Sequence, residues 1–204
     1  MSLNEVWHKV SVITPTWKRH RFLLNLTQNM LAQVGVEFEH IIVSDGYDDV
    51  ARSVCESYGS KATYPVTYDE IEHKGHYGDY ARTRGLELAK GEYVIFFDDD
   101  NAYFPHAVTT LYAAACNHDI GIALIEHWDF QSPNKQIIGS QIAYGQIDTA
   151  CYCVRKSRAV PWTGFTENGV GTDYHWIELV STGANVNLVP IVIASHLIEK
   201  QHPV

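Results

Sequence analysis

Long apolar runs are missing from this sequence. None approaches the roughly 20 residues that a helix needs to cross a membrane, so no integral membrane segment is expected. No apolar signal-peptide core follows Met1, and a cytoplasmic location is the expectation. Basic residues are outnumbered: 15 Lys and Arg stand against 24 Asp and Glu, a formal charge of -9. Nucleic acid is therefore not an expected partner, because it calls for a basic face. Paired cysteine spacing is also lacking. Cys55, Cys116, Cys151 and Cys153 do not fit a zinc ribbon, which leaves reduced, buried thiols. The stretch TPTWKRHR, residues 14–21, contains no glycine, so a Gly-rich phosphate loop is excluded there. No internal repeat, low-complexity tract or obvious linker interrupts the 204 residues, and a single domain over 1–204 is expected.

What is present is a regular alternation. Hydrophobic residues make up 46% of the chain, enough for a sizeable core. KVSVITPT reads as a strand, and RFLLNLTQNMLAQ as a helix with Phe22, Leu23, Leu26 and Met30 on one face. EFEHIIVSDG is a second strand, DDVARSVCESYG a second helix, and ATYPVTYDE a weaker strand whose Pro65 argues for a sheet edge. YGDYARTRGLELAKG is helical, EYVIFF is a strand, and FPHAVTTLYAAACN is the next helix. This pattern predicts an α/β fold: an open sheet, mainly parallel in the N-terminal half, with helices on both faces. Further on, IGIALIEHWDF, QIDTACYCV and VNLVPIVIASH read as strands of a mixed or antiparallel part, and TDYHWIELVSTG as a short helix. In that reading Cys151 and Cys153 share one strand face.

Three strands end in polar groups: TPTW, SDG and DDDN. Ligands bind outside the carboxyl ends of strands in open α/β sheets. Thr14, Thr16, Trp17, Asp45, Asp98, Asp99 and Asp100 are therefore expected on one rim. Three adjacent carboxylates repel one another, and a hard divalent cation, Mg²⁺ or Mn²⁺, relieves that repulsion. The simpler alternative is that one Asp caps the following helix and the others are solvated, a capping role open to Asn101 as well.

The combination of motifs resembles family 2 glycosyltransferases. VSVITPTWKRHRFLLNLTQNMLAQ is similar to their opening strand, Pro-Thr-aromatic turn and helix. GDYARTRGLELAKGEYVIFFDDDN is similar to their Ala-Arg helix, Gly-Glu-Tyr turn and aspartate motif, and GVGTDYHWIEL to the segment bearing their catalytic acid. The likeness runs from about Lys9 to Leu179. It implies an inverting, metal-dependent transferase of the GT-A fold, with a nucleotide-sugar donor, UDP first among them, and a carbohydrate or other hydroxyl acceptor. Residues of about 9–116 would form the nucleotide-binding half and about 117–204 the acceptor side.

The resemblance also distributes roles. Pro15, Thr16, Trp17, Asp45, Arg82, Asp98 and Asp99 would meet the nucleotide. Trp17 offers a flat face to a base, although a partly buried core indole is the alternative. Asp45 can accept from a base N–H, or simply form the turn before Gly46. Arg82 would contact nucleotide or pair with a carboxylate. DDDN allows two registers, Asp98 with Asp100 or Asp98 with Asp99, so Asp99 and Asp100 are both candidate metal ligands, and His196 is a third. Asp173 is the candidate general base, with a cap for the following helix as its other reading. Thr172 and Asn101 depart from members that carry acids there. A donor-binding core of this size leaves acceptor recognition to short loops such as WTGFTENGVG, or to a partner subunit or second copy. A glycoside hydrolase using two carboxylates, a nucleotidyltransferase and a non-catalytic sugar- or nucleotide-binding module are the competing classes.

Overall fold

In the computed structural model the described residues are 9–128, 135–162 and 171–196. The first half alternates as the periodicity predicts: β1 (Val10–Thr16), α1 (His20–Leu31), β2 (Phe38–Asp45), α2 (Asp49–Gly59), β3 (Val66–Ile71), α3 (Asp79–Leu88) and β4 (Tyr93–Phe96). β5 (Asn101–Tyr103), α4 (Ala107–Ala115), β6 (Ile120–Trp128), β7 (Lys135–Ile138), β8 (Tyr152–Arg155), α5 (Thr172–Ser181) and β9 (Val186–His196) follow. The sheet runs β3-β2-β1-β4-β8-β6-β9-β5, with β7 paired to β6. β3, β2, β1 and β4 are parallel. β8 lies antiparallel to both β4 and β6. β9 then runs parallel to β6 and antiparallel to β5. The sheet is thus open and mixed, as expected. Among the described residues no helix is long and apolar enough to cross a membrane.

The physics of the first half is that of a sheet covered on both faces, whose strands read as continuous apolar runs. Every residue of β1, β2 and β4 is buried. α1 buries Phe22, Leu23, Leu26, Thr27 and Met30, the three- and four-residue spacing of one helical stripe. The polar residues inside are satisfied locally. Ser11 donates to Glu39 at 2.6 Å, and Glu39 also accepts from the Lys90 amide. Asp48 caps α2 by accepting from the Val50 and Ala51 amides, removing two orphan donors at the helix start. On the other side of the sheet Trp162 stacks on Trp176 at 4.6 Å, and Phe96 meets both rings edge-on. All four cysteines are free thiols.

Four local expectations are corrected. Pro65 lies just before β3 rather than within it, and its carbonyl accepts from the His40 amide at 2.9 Å. QIDTACYCV is not one strand. Asp148 caps a 3-10 turn over Thr149–Cys151, and only Tyr152–Arg155 is strand. Cys151 therefore sits in a turn and does not share a strand face with Cys153. Thr14 faces the interior, not the rim: its hydroxyl donates to the Phe97 carbonyl and meets His40. Asn101 caps no helix. It opens β5 opposite His196, while α4 has His106 at its N-cap and no side-chain cap bond.

The strand pairing also dictates tolerance to substitution. Gly121 in β6 passes so close to α4 that a Cβ there would lie 2.3 Å from the Ala115 nitrogen. Gly121→Ala is expected to force β6 and α4 apart and to destabilise the fold by about 1–3 kcal/mol, read as a lower urea midpoint. An unchanged midpoint would show that this contact yields freely.

Candidate active site

The carboxyl ends of β1, β2 and β4 open onto a cleft of about 330 Å³, lined by Pro15, Thr16, Trp17, Arg19, Asp45, His73, Gly75, Tyr77, Gly78, Arg82 and Asp98–Asp100. All the residues expected to meet nucleotide are therefore brought together. At one end the half-buried Trp17 stacks on His73 at 4.4 Å, with the Lys18 ammonium 4.6 Å from its ring. Gly46, at φ +135, lies under the same indole, and a Cβ there would come within 2.1 Å of it. Asp45 is held in place by the chain itself: its two carboxylate oxygens accept from the Lys74 and Gly75 amides, each at 2.8 Å. Beyond them Gly75, His76, Tyr77 and Gly78 all take positive φ, a left-handed turn costly for His and Tyr. The Arg82 guanidinium anchors its far end by donating to the Tyr77 carbonyl at 2.8 Å.

The three aspartates after β4 have three different surroundings. Asp98 accepts from Arg82 at 2.6 Å and from the Thr149 hydroxyl at 2.7 Å. Asp99 is turned inward, 1% exposed, accepting from Thr16 at 2.8 Å with Arg19 at 3.2 Å. Burial outweighs those partners and pushes its carboxyl up to about 7. Asp100 is half-buried and meets Arg19 at 2.6 Å and His196 at 3.6 Å. Burial alone would raise its pKa, but His196 and Arg19 together hold it below the ordinary range. The β5–β9 pairing is what carries His196 there, and His127 stacks on its ring at 4.8 Å.

A second cavity of about 360 Å³ shares Tyr77, Arg82 and Asp98 with the first. The Arg82–Asp98 ion pair is thus a common wall. The far side is lined by Asp79, Asp148, Thr149, Trp162, Gly171, Thr172 and Asp173. Asp173 sits in the first turn of α5, half-buried, and burial raises its pKa. The helix is capped by Gly171 in a left-handed conformation, with no side-chain cap bond. Burial lifts Asp79 to about 6; at Asp148, burial and then the Asp98 charge lift it to about 7. The loop WTGFTENGVG contributes Trp162 and Gly171 here, and its residues 163–170 lie outside the described residues.

A family model described as Glycosyl transferase family 2 matches residues 11–170. The chain belongs to that family. The chain is 28% identical over 122 residues to glycosyltransferase GlyA of Streptococcus pneumoniae serotype 4, a stretch covering 60% of this chain and 17% of GlyA. Its fold resembles that of Staphylococcus aureus TarS 1–349 in complex with UDP-GlcNAc, with a TM-score of 0.71, 17% identity, and coverage of 95% of this chain and 60% of that one. Mannosyltransferase PcManGT from Pyrobaculum calidifontis, in complex with GDP-Man and Mn²⁺, gives a TM-score of 0.73 at 16% identity, covering 97% of this chain and 59% of the other. These likenesses establish the GT-A fold. The chain spans less than two thirds of the length of each of these relatives.

Sequence reasoning missed several residues of the cleft. Arg19 was part of a quoted motif, but nothing in a one-dimensional pattern showed it reaching two aspartates. His73 and Tyr77 lie in an irregular loop with no periodicity. Thr149 and Asp148 were hidden in a stretch read as strand, although Asp-Thr before a short apolar run is a capping signal.

Asp148 supplies a pH test. Its proton is held more tightly in the folded than in the unfolded chain, so its favourable contribution is present at low pH and is lost as pH rises from about 4 to about 7. Asp148→Asn removes the titration and retains the acceptor for the Ala150 amide. Relative to the parent, the variant is expected to gain on the order of 1–2 kcal/mol between about pH 5 and about pH 8, measured by urea unfolding across that range. A difference independent of pH would refute a raised Asp148.

Proposed function

We propose that this family 2 glycosyltransferase is metal-dependent and inverting, and that it transfers a sugar from a nucleoside diphosphate donor, UDP-linked by first preference, to an acceptor hydroxyl. The observation that supports this most is the shared wall. A nucleotide-sized cleft and an acid-lined cavity meet at Arg82 and Asp98, so a donor in the first presents its sugar at the mouth of the second. TarS with UDP-GlcNAc and PcManGT with GDP-Man and Mn²⁺ share the fold, and both base types remain arms of the test.

In this reading the Trp17–His73 stack bounds the base and Asp45 accepts its N–H, with Pro15 and Thr16 forming the floor. Asp98 and Arg82 face the ribose and diphosphate, and Asp99 keeps this segment fixed from below through Thr16 and Arg19. Among the described residues no three His, Cys, Asp or Glu side chains already converge as a metal site. Asp100 and His196, 3.6 Å apart, would hold Mn²⁺ or Mg²⁺, which takes few protein ligands and completes its shell with water and phosphate oxygens; Asp99 is the reserve ligand. An imidazole in the set favours Mn²⁺. Such an ion supplies Lewis-acid stabilisation of the departing diphosphate. Asp173 accepts the proton of the attacking hydroxyl, and its raised pKa brings it nearer the working range of a general base. The acceptor occupies the second cavity beside it, and residues of about 117–204 furnish that side. A partner subunit or a second copy would complete acceptor recognition.

Asp173→Asn tests the assignment. It preserves shape and removes the proton acceptor. UDP or GDP binding in Mn²⁺, followed by calorimetry, is expected to be unchanged, while sugar transfer falls by roughly 10²–10⁴-fold. Near-normal turnover in the folded variant would strip Asp173 of the role of base.

A further inference from the structure

Two arginines face the aspartate cluster, and they are held very differently. The Arg82 side chain is 8% exposed and is fixed by Asp98, the Tyr77 carbonyl and the neighbouring Asp79 at 3.6 Å. The Arg19 side chain is 38% exposed. Its guanidinium lies 4.8 Å from the Phe22 ring and spans two carboxylates, one arm 3.2 Å from Asp99 Oδ1 and the other 2.6 Å from Asp100 Oδ2. The preceding residue, Lys18, has φ +51, a conformation unfavourable for a long side chain. That kink turns Arg19 back over the rim at the start of α1.

The decisive detail is which oxygen Arg19 holds. Asp100 Oδ2 receives Arg19 at 2.6 Å and is also the atom 3.6 Å from His196 Nε2. A divalent cation bound between Asp100 and His196 requires that oxygen. A guanidinium and a dication cannot share it closely, since both are positive and the site is half-buried. Arg82 has no such conflict, because its contacts are to Asp98, Asp79 and Tyr77.

We propose that Arg19 is a built-in placeholder cation: it neutralises Asp99 and Asp100 while no metal is bound, and an entering metal displaces it from Asp100 Oδ2. The inference rests on the reading of Asp100 and His196 as metal ligands. It assigns to Arg19 a cost on metal affinity and a benefit to the metal-free fold. The exposure of the side chain leaves it room to swing into the cleft, which the enclosed Arg82 lacks. Arg19 thereby becomes a positioning residue that keeps the carboxylates arranged for a metal before the metal arrives.

The test is direct titration of Mn²⁺ into the parent, Arg19→Gln and Arg19→Lys, followed by calorimetry and by the Mn²⁺ electron paramagnetic resonance signal, with melting curves in chelator alongside. Arg19→Gln is expected to melt lower than the parent in chelator, to bind Mn²⁺ about tenfold or more tightly, and to gain more from added Mn²⁺ in its melting temperature. Arg19→Lys keeps the charge without the two-armed fork, so it is expected to fold and to fall between the two. If the parent binds Mn²⁺ and neither variant binds it more tightly, the placeholder is overturned and the metal site stands. Binding by Arg19→Gln alone would support the placeholder in its strongest form. Absence of binding by all three would overturn the metal site and the placeholder together. Should Arg19→Gln fail to fold, an Mn²⁺ affinity of Arg19→Lys equal to or below that of the parent overturns the proposal.

Discussion

The cleft depends on keeping consecutive carboxylates together at the buried end of β4. Like charges a few ångströms apart in a poorly solvated place cost free energy unless each has a counter-charge or a proton. Here the backbone alternates them. Asp98 and Asp100 turn towards the cleft, and Asp99 turns inward against Thr16. Arg82 serves the first, Arg19 the second and third, and His196 the third from across β5 and β9. The rest of the rim is built around this distribution. α3 is placed so that Arg82 reaches Asp98, and the left-handed turn before it is stitched to Asp45 at one end and Arg82 at the other.

The acidic rim therefore differs from a simple patch of negative charge. Its charges are compensated in pairs whose members differ in mobility. The enclosed Arg82–Asp98 pair divides the space into a nucleotide-sized cleft and an acid-lined cavity. The more exposed Arg19 lies on the side of Asp99 and Asp100. In the second cavity, burial raises the carboxyls of Asp79, Asp148 and Asp173 above the ordinary range. The family 2 match covers residues 11–170 of this chain, and the longer relatives carry additional length beyond the matched part.

Much of this was readable in advance because buried parallel strands announce themselves. KVSVITPT, EFEHIIVSDG and EYVIFF are continuous apolar runs ending in polar residues, and the rule for ligands at strand ends placed the cleft. The helices followed from 3.6-residue spacing. What stayed hidden depended on contacts distant in sequence. β5 is three residues long and acquires its hydrogen bonds from β9, about ninety residues later in the chain. β7 is short, and only its last residue is buried. Arg19 and Asp99 are neighbours only after β1 has paired with β4, and no local pattern encodes that meeting.

The placement of β9 has a consequence for biosynthesis. It is inserted between β6 and β5, so the partner of β5, and the imidazole beside Asp100, are made long after the aspartates themselves. A nascent chain emerging from the ribosome can assemble β1, β2, β3 and β4 with local helices first. At that stage the cluster has Arg19 and Arg82 for company but no His196. If Asp100 and His196 hold a dication as proposed, the site would acquire that ability only when the late strand docks, and an incomplete chain would not capture metal in a half-built cleft.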